Sequence, residues 1–165
     1  MNIRIGHGID IHQFKNDIPF ILGGVSIDCA FGIKGHSDGD VLIHALIDAL
    51  LGATGLGDIG TFFPSSDSKW KNCSSEIFLN DVLNQLKNIN YKIENIDITI
   101  ILQDPQISSY VKKIKMNLAN LMKLKNEQIS IKATTADYLG FVGEKKGIIA
   151  TACVLISRNR DESSN

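Results

Sequence analysis

The sequence predicts a layered α+β domain in which helices pack on one face of a single mixed β-sheet. Stretches of alternating apolar and polar residues, typical of strands, are interleaved with three stretches whose apolar residues recur at helical spacing. A chain of 165 residues can bury a substantial core as one domain, but it is short for two. We therefore assign residues 1–157 to one domain and predict that the wholly polar tail at 158–165 is disordered.

The predicted elements begin with a strand in which Ile3, Ile5, Ile9 and Ile11 alternate with polar residues. Glycines interrupt that alternation, which indicates a bulge or the close approach of another backbone. The remaining elements, in chain order, are a hairpin at 20–27, helices at 38–52 and 74–88, a strand at 93–102, a helix at 108–122, and strands at 129–131 and 148–157. The segments 52–67 and 134–146 are predicted to be loops.

Composition and charge exclude several classes of partner. Seventeen Lys+Arg against 18 Asp+Glu give a net charge of −1, which offers no basic field for nucleic acid or an anionic membrane. No apolar stretch approaches the ~20 residues that span a bilayer, and the N-terminus resembles neither a signal nor a transit peptide. Three cysteines without a CxxC spacing argue against a disulfide scaffold or a thiolate zinc site and favour a reducing cytoplasm.

One candidate metal site combines a strand with a helix. Asp10 and His12 share a face of the first strand because successive side chains alternate. Asp40, His44 and Asp48 form a polar stripe on the following helix that could meet that strand. Two neutral imidazoles and one carboxylate are a ligand set that catalytic zinc uses. Spacing alone equally allows half-exposed strand side chains and a helix histidine that is merely hydrogen-bonded.

Two further polar clusters each have a functional and a structural interpretation. Residues 36–40, HSDGD, precede the first helix, where backbone amides and Ser37 could bind phosphate. Simple N-capping of that helix by Asp38 would also explain them. Residues 132–137, KATTAD, place two hydroxyls and a carboxylate after a strand, which suits either a ligand site or a capped turn.

Together these segments resemble the 2-C-methyl-D-erythritol 2,4-cyclodiphosphate synthase family of the non-mevalonate isoprenoid pathway. The resemblance runs from Arg4 to about Ile156. Several long motifs in the same order are far more specific than any one of them. They are RIGHGIDIHQF (4–14), LGGV (22–25), HSDGDVLIHALIDALLGATGLGDIG (36–60), FFPSSD (62–67) and IKATTADYLGFVG (131–143).

The resemblance implies a role for each matching residue. Zinc ligands would be Asp10, His12 and His44, of which Asp10 and His12 would also contact substrate, and Asp137 would hold a second divalent ion, Mg²⁺ or Mn²⁺. His36 and Thr135 would stabilise the transition state, and His36 and Ser37 would contact phosphate. The methylerythritol hydroxyls would be held by Asp58 and Gly60, in a pocket lined by Phe63, Pro64, Ser65, Ser66 and Asp67. The cytosine would be contacted by Leu102, Gln103, Asp104, Pro105, Gln106, Ile107 and Ser108. The other expected substrate contacts are Thr134, Ala136, Phe141 and Glu144.

The implied reaction is an intramolecular phosphoryl transfer on 4-diphosphocytidyl-2-C-methyl-D-erythritol 2-phosphate, in which the 2-phosphate attacks the β-phosphorus and CMP leaves. The resemblance implies a homotrimer with active sites between subunits, one zinc per subunit, sheets facing a threefold axis, and an axial cavity that can hold an isoprenoid diphosphate. Ile98, Ile100, Ile129 and Ile131 are apolar enough to form such a sheet-to-sheet interface. They could equally face their own helices.

Two single positions and one pair depart from the family pattern. Gln106 stands where lysine is common, and Asp137 replaces a glutamate, which shortens its reach to the second metal by one methylene. Glu144 and Lys146 reverse the usual Arg and Glu, and could form the same ion pair with exchanged signs. The reversal puts binding of an isoprenoid diphosphate in the axial cavity in question.

Two other functions use the same residues. A zinc phosphohydrolase would activate water at Asp10, His12 and His44, but the sequence shows no dedicated general base. A non-enzymatic, metal-stabilised trimer would only bind cytidine nucleotides or isoprenoid diphosphates, and the intact His36, Ser37 and Thr135 argue against this.

Overall fold

The protein folds into a mixed β-sheet with helices against one face and a separate small hairpin. The computed structural model describes residues 2–158. The strands are β1 (Ile3–Asn16), β2 (Phe20–Leu22), β3 (Val25–Ile27), β4 (Phe31–Ile33), β5 (Tyr91–Ile101), β6 (Ile129–Thr134) and β7 (Gly147–Arg158). The helices are α1 (Val41–Thr54), α2 (Ile59–Phe62), α3 (Ser75–Asn88), α4 (Ser108–Met122) and α5 (Gly140–Gly143), with 3-10 turns at Ser68–Trp70 and Asn126–Gln128.

The main sheet has five strands in the order β4-β1-β7-β5-β6, and only β5 and β6 are parallel. This confirms the predicted mixed sheet, but β2 and β3 form a second, two-stranded sheet rather than joining the first. The sequence did not predict β4, because three residues around a glycine give no detectable alternation. Arg158 ends β7, and the rest of the predicted tail lies outside the described residues.

Helix α1 is the centre of the core. Nearly all its side chains are buried, because it lies on β1 and β7 while α3 packs alongside it. Asp40 caps its N-terminus, accepting a hydrogen bond from the Ile43 N–H at 3.1 Å. The predicted cap, Asp38, is therefore wrong for this helix, which begins at Val41.

Two glycines of β1 allow α1 to lie directly on the sheet. A Cβ at Gly6 would overlap the Ala49 carbonyl oxygen, and one at Gly8 would overlap the Ala45 carbonyl oxygen. The predicted close approach is therefore confirmed. Because Asp10 and His12 share the face of these glycines, the same contact brings them toward α1.

The opposite face of the sheet is exposed and partly apolar. Ile3, Ile5, Ile9 and Ile11 of β1 all point there, with Ile5 72% exposed. The isoleucines expected at a subunit interface lie elsewhere: Ile98, Ile100 and Ile129 are buried beneath this chain's own helices, and Ile131 is half-buried. From Ile96 to the end of β5 the buried positions are the even-numbered ones, so the alternative interpretation is correct for Ile98 and Ile100.

Within residues 2–158 no helix is long and apolar enough to cross a membrane.

Candidate active site

Three side chains converge where β1 meets α1. Asp10 Oδ2 lies 2.8 Å from His12 Nε2 and 2.9 Å from His44 Nδ1, and the two nitrogens are 3.3 Å apart. A tetrahedral zinc with ligand bonds of about 2.0–2.1 Å separates its ligand atoms by roughly 3.3 Å. The triangle is slightly tighter than that, and it fits a small cation with little movement. Among the described residues, this is the one group of three such side chains close enough to share a metal ion.

His12 is held in the tautomer that a metal ligand needs. Its Nδ1 lies 2.7 Å from the Lys34 carbonyl oxygen, which can only accept a hydrogen bond. Nδ1 therefore carries the proton, and the lone pair of Nε2 faces Asp10 and His44.

His44 is oriented by a relay of buried hydroxyl and carboxylate groups. The Ser75 hydroxyl donates to Asp38 Oδ1, so its oxygen accepts from His44 Nε2 at 2.9 Å. Ser37 Oγ lies 3.0 Å from the same nitrogen. With the proton on Nε2, the lone pair of Nδ1 points at the cluster. Asp38 thus orients His44, a candidate metal ligand, and this role was not indicated by its place in the sequence.

The charges of the cluster are mutually reinforcing. Burial raises the pKa of Asp10. When protons instead of a metal occupy the His12 and His44 nitrogens that face it, the hydrogen bonds and positive charges of the two rings outweigh burial and hold that pKa well below its usual value. Burial lowers the pKa of His12, but the Asp10 carboxylate overcomes this and raises it. Asp10 Oδ1 accepts from the Ile11 N–H at 2.9 Å, which leaves Oδ2 directed at the histidines.

The other two members of the predicted helical stripe do not join the cluster. Asp40 is fully buried and accepts hydrogen bonds from the N–H groups of Gly23 and Gly24, which anchors the β2–β3 turn to α1. Burial raises the pKa of Asp40 to about 6, because it outweighs these hydrogen bonds, which lower the pKa. Asp48 accepts from the Ile59 N–H at 2.8 Å and so positions the start of α2.

A cavity of about 190 Å³ opens beside the cluster. Its wall contains six predicted substrate contacts together with His44, and three residues that the sequence analysis did not single out. The lining residues are His12, His36, Ser37, Gly60, Phe63 and Ser65 with His44, and additionally Ile59, Trp70 and Phe78. The one signal that could have found Trp70 is its isolation, since it is the only tryptophan of the chain and lies in a polar loop.

Four neighbouring predicted contacts lie outside that wall. Asp58 caps α2, and hydrogen bonds from Thr61 hold its pKa below the usual value. Asp67 caps the turn at Ser68–Trp70 and pairs with Lys69 at 2.9 Å. Pro64 and Ser66 are also absent from the lining.

A second cavity, of about 390 Å³, lies where β5 and β6 end. Parallel pairing of these strands brings the segments that follow them to one edge of the sheet. The cavity is lined by most of the residues expected at the cytosine and by both threonines of the KATTAD segment. The lining residues are Leu102, Gln103, Pro105, Gln106, Ile107, Ser108, Ala133, Thr134 and Thr135. Asp104 is absent from the lining and pairs with Lys145 at 3.5 Å.

The rest of the predicted set follows β6 on an exposed loop. The Asp137 N–H donates to Thr135 Oγ1 at 3.4 Å, while its carboxylate has no ion-pair partner among residues 2–158. Ala136 is half-buried, and Phe141 packs near Gly147. Glu144 and Lys146 form the ion pair that the sequence predicted. The three predicted zinc ligands and Asp137 do not meet as one cluster among the described residues.

The sequence is similar to a known protein family over nearly its whole length. A family model described as the YgbB family matches residues 3–157. The chain belongs to the YgbB family. Relatives from Buchnera aphidicola subsp. Schizaphis graminum and from Clostridium kluyveri, both named 2-C-methyl-D-erythritol 2,4-cyclodiphosphate synthase, are each 48% identical to it. The alignments cover 99% of both chains for the first relative and 98% of both for the second.

Solved structures of YgbB-like proteins share the fold. IspF from Plasmodium falciparum, described as a CDP complex, matches with a TM-score of 0.86 and 39% identity over 96% of this chain and 98% of its own. The bifunctional IspDF from Campylobacter jejuni matches with a TM-score of 0.92 and 39% identity over 95% of this chain. This chain covers 42% of that longer protein.

Proposed function

We propose that this protein converts 4-diphosphocytidyl-2-C-methyl-D-erythritol 2-phosphate into 2-C-methyl-D-erythritol 2,4-cyclodiphosphate with release of CMP, as a lyase of the non-mevalonate isoprenoid pathway. The observation that carries the proposal is the convergence of Asp10, His12 and His44 with both imidazole tautomers fixed for metal binding. The names of the close relatives and the CDP complex of a solved one point to the same substrate class.

The chemistry suits a site without a protein nucleophile. An oxygen of the 2-phosphate attacks the β-phosphorus, the bond from that phosphorus to the bridging oxygen breaks, and CMP leaves. Because the nucleophile is already ionised, the protein needs to position charged groups rather than remove a proton. A Zn²⁺ held by Asp10, His12 and His44 would polarise the attacked diphosphate. His36 and Ser37, in the wall of the adjoining cavity, would orient its oxygens.

A second divalent ion would be held by Asp137 together with the substrate. The carboxylate is exposed and free of salt bridges among the described residues. Mg²⁺ and Mn²⁺ commonly bind through one or two carboxylates plus substrate phosphates, so one aspartate is sufficient. Thr135, at the edge of the second cavity, would stabilise charge on the departing CMP.

We further propose a cytoplasmic homotrimer whose active sites lie between subunits. The zinc cluster and the cytosine cavity are separate in one chain, so a neighbouring copy would complete each site. The apolar sheet face carried by Ile3, Ile5, Ile9 and Ile11 would form the interface around the threefold axis. The three cysteines are all unpaired, which suits a reducing compartment. An isoprenoid diphosphate in the axial cavity remains a prediction.

The test is phosphorus NMR of the protein with substrate and Mg²⁺, alongside zinc analysis of the same samples. We expect CMP and a cyclic diphosphate from the wild type, with about one zinc per chain. His44→Ala should lose both the product and the zinc. Met116→Ala is the control, since Met116 is 49% exposed on α4 and belongs neither to the cluster nor to the exposed sheet face.

Two other outcomes would replace the proposal. A linear phosphate product would identify a zinc phosphohydrolase. Binding of cytidine nucleotides without turnover by the zinc-loaded wild type would identify a non-catalytic binding protein.

A further inference from the structure

Two buried nitrogen atoms in the wall of the cavity beside the zinc cluster have no hydrogen-bond partner among the described residues. They are Nε1 of Trp70 and Nε2 of His36. Buried polar atoms are nearly always paired, and leaving one unpaired destabilises the folded protein. Two such atoms in one small cavity therefore suggest that a ligand of this cavity is their partner.

The indole ring of Trp70 is held so that it cannot turn toward another partner. Its ring meets Phe63 edge-on at 85° and Phe78 edge-on at 89°, with both centroids 5.3 Å away. Those two phenyl rings are stacked on each other, 4.5 Å apart. The Lys69 ammonium lies 4.5 Å above the indole centroid and is itself paired with Asp67. Packing on several sides fixes the N–H in place.

The part of the substrate that this cavity would hold follows from its position. The cavity adjoins His12 and His44, where the diphosphate would bind, and it is separate from the cavity that the cytosine would occupy. A volume of about 190 Å³ suits a short chain of a few carbon atoms rather than a nucleoside. The aromatic rings that line the cavity suit an apolar substituent of the ligand, while the two unpaired nitrogens need hydrogen-bonding oxygen atoms.

We propose that the Trp70 indole N–H donates a hydrogen bond to an oxygen of the substrate's branched polyol, and that His36 Nε2 contacts a second oxygen of the same group. The inference rests on the proposed function and adds a specificity-determining residue to it. A cavity with a preformed, immobile donor binds a hydroxylated chain and rejects a deoxy analogue, since the analogue would leave the donor unpaired.

The sharpest test removes the N–H and keeps the ring. Because Trp70 is the only tryptophan, a tryptophan auxotroph fed β-(3-benzothienyl)alanine replaces that indole alone, with sulfur in place of N–H. Trp70→Phe provides a second, genetically encoded variant. We expect calorimetry to show roughly tenfold weaker binding of 2-C-methyl-D-erythritol 4-phosphate. We also expect a lower kcat/KM, with most of the change in KM rather than in kcat.

Two further measurements separate this role from a structural one. Removing an unpaired buried donor should leave Tm unchanged or raise it, whereas loss of a packing residue lowers it. CDP affinity should not change, because the nucleotide would occupy the other cavity. Equal polyol phosphate affinity in the wild type and the benzothienyl protein would overturn the inference while leaving the proposed function intact. Failure of the proposed function would appear separately, as a wild type that makes no cyclic product.

Discussion

The two ends of the candidate active site are built very differently. At the metal end, Asp10, His12 and His44 lie on a strand and a buried helix, and each histidine is oriented by a further hydrogen bond. At the nucleotide end, Thr134, Thr135 and the residues after them are exposed and make few side-chain hydrogen bonds. One end is complete within a chain, and the other is an open surface.

The difference follows from what each end has to do. A metal site needs lone pairs fixed to within a fraction of an ångström, so its ligands stand on rigid elements with supporting hydrogen bonds. A nucleotide can be held by backbone groups and shape, which an open loop supplies once a second surface closes over it. The asymmetry therefore favours an active site shared between subunits.

Mixing two inactive variants gives the largest expected effect. His44→Ala removes the metal end, and Ala133→Arg fills the cavity at the nucleotide end. Each variant alone should lose more than about 1,000-fold in turnover. Unfolded together and refolded as an equal mixture, they should recover roughly a quarter of wild-type activity, because a quarter of the shared sites combine two intact halves. No recovery would show that one chain supplies both halves.

Breaking the proposed interface should separate the two ends. Ile9 is 52% exposed on the free sheet face, so Ile9→Glu leaves the core of the single chain intact. We expect a monomer by sedimentation, with turnover at least about 100-fold lower because each site loses its second half, and with zinc retained. Met116→Glu, at a similarly exposed position of α4, should change neither property. A trimer of Ile9→Glu with full activity would contradict the proposed interface.

A smaller effect is expected from the relay behind His44. Ser75→Ala removes the acceptor that links His44 Nε2 to Asp38 and leaves only Ser37 Oγ at that nitrogen, so zinc affinity should fall about 10-fold as the imidazole is held less firmly. Ser74→Ala is the matched control: Ser74 is the N-cap of α3, and its loss should cost about 1 kcal/mol of stability without changing zinc affinity. Equal zinc affinity in the two variants would show that the relay does not orient the ligand.

The same contrast explains how much the sequence could predict. The Asp10–His12 spacing on a strand and the position of His44 on a helix allowed the cluster, because side-chain direction follows from local periodicity, but only the family resemblance selected these three side chains as its members. The roles of Asp38 and Ser75 depend on two segments packing together, which no local pattern encodes. The sequence left the face of Ile98 and Ile100 open for a related reason, since alternation shows that a strand has two faces but not which face the helices cover.

Zinc binding should weaken as the pH falls, by up to about tenfold per pH unit. The Asp10 carboxylate raises the pKa of His12 above 6.5, so a proton competes with the metal at Nε2 already near neutral pH. Without metal the sign is opposite: protonated His12 stabilises the fold at low pH, and that contribution is lost as the pH rises through the raised pKa. Competition with a chelator from pH about 8 to about 6 measures the first effect. An affinity that stays flat there would contradict it.

The smallest expected effect concerns the ion pair at the nucleotide end. Glu144 and Lys146 are each more than half exposed, so in a single chain their attraction contributes about 0–1 kcal/mol. In a trimer, three copies of the pair would lie near the axis, and Glu144→Lys would gather like charges there. We expect Tm to fall by about 2–4 °C, with partial dissociation at low salt. Glu127→Lys disrupts a similarly exposed pair with Lys125 and should have almost no effect. An unchanged oligomer mass and Tm in Glu144→Lys would place the pair away from the axis and restrict the interface to the face that carries Ile9.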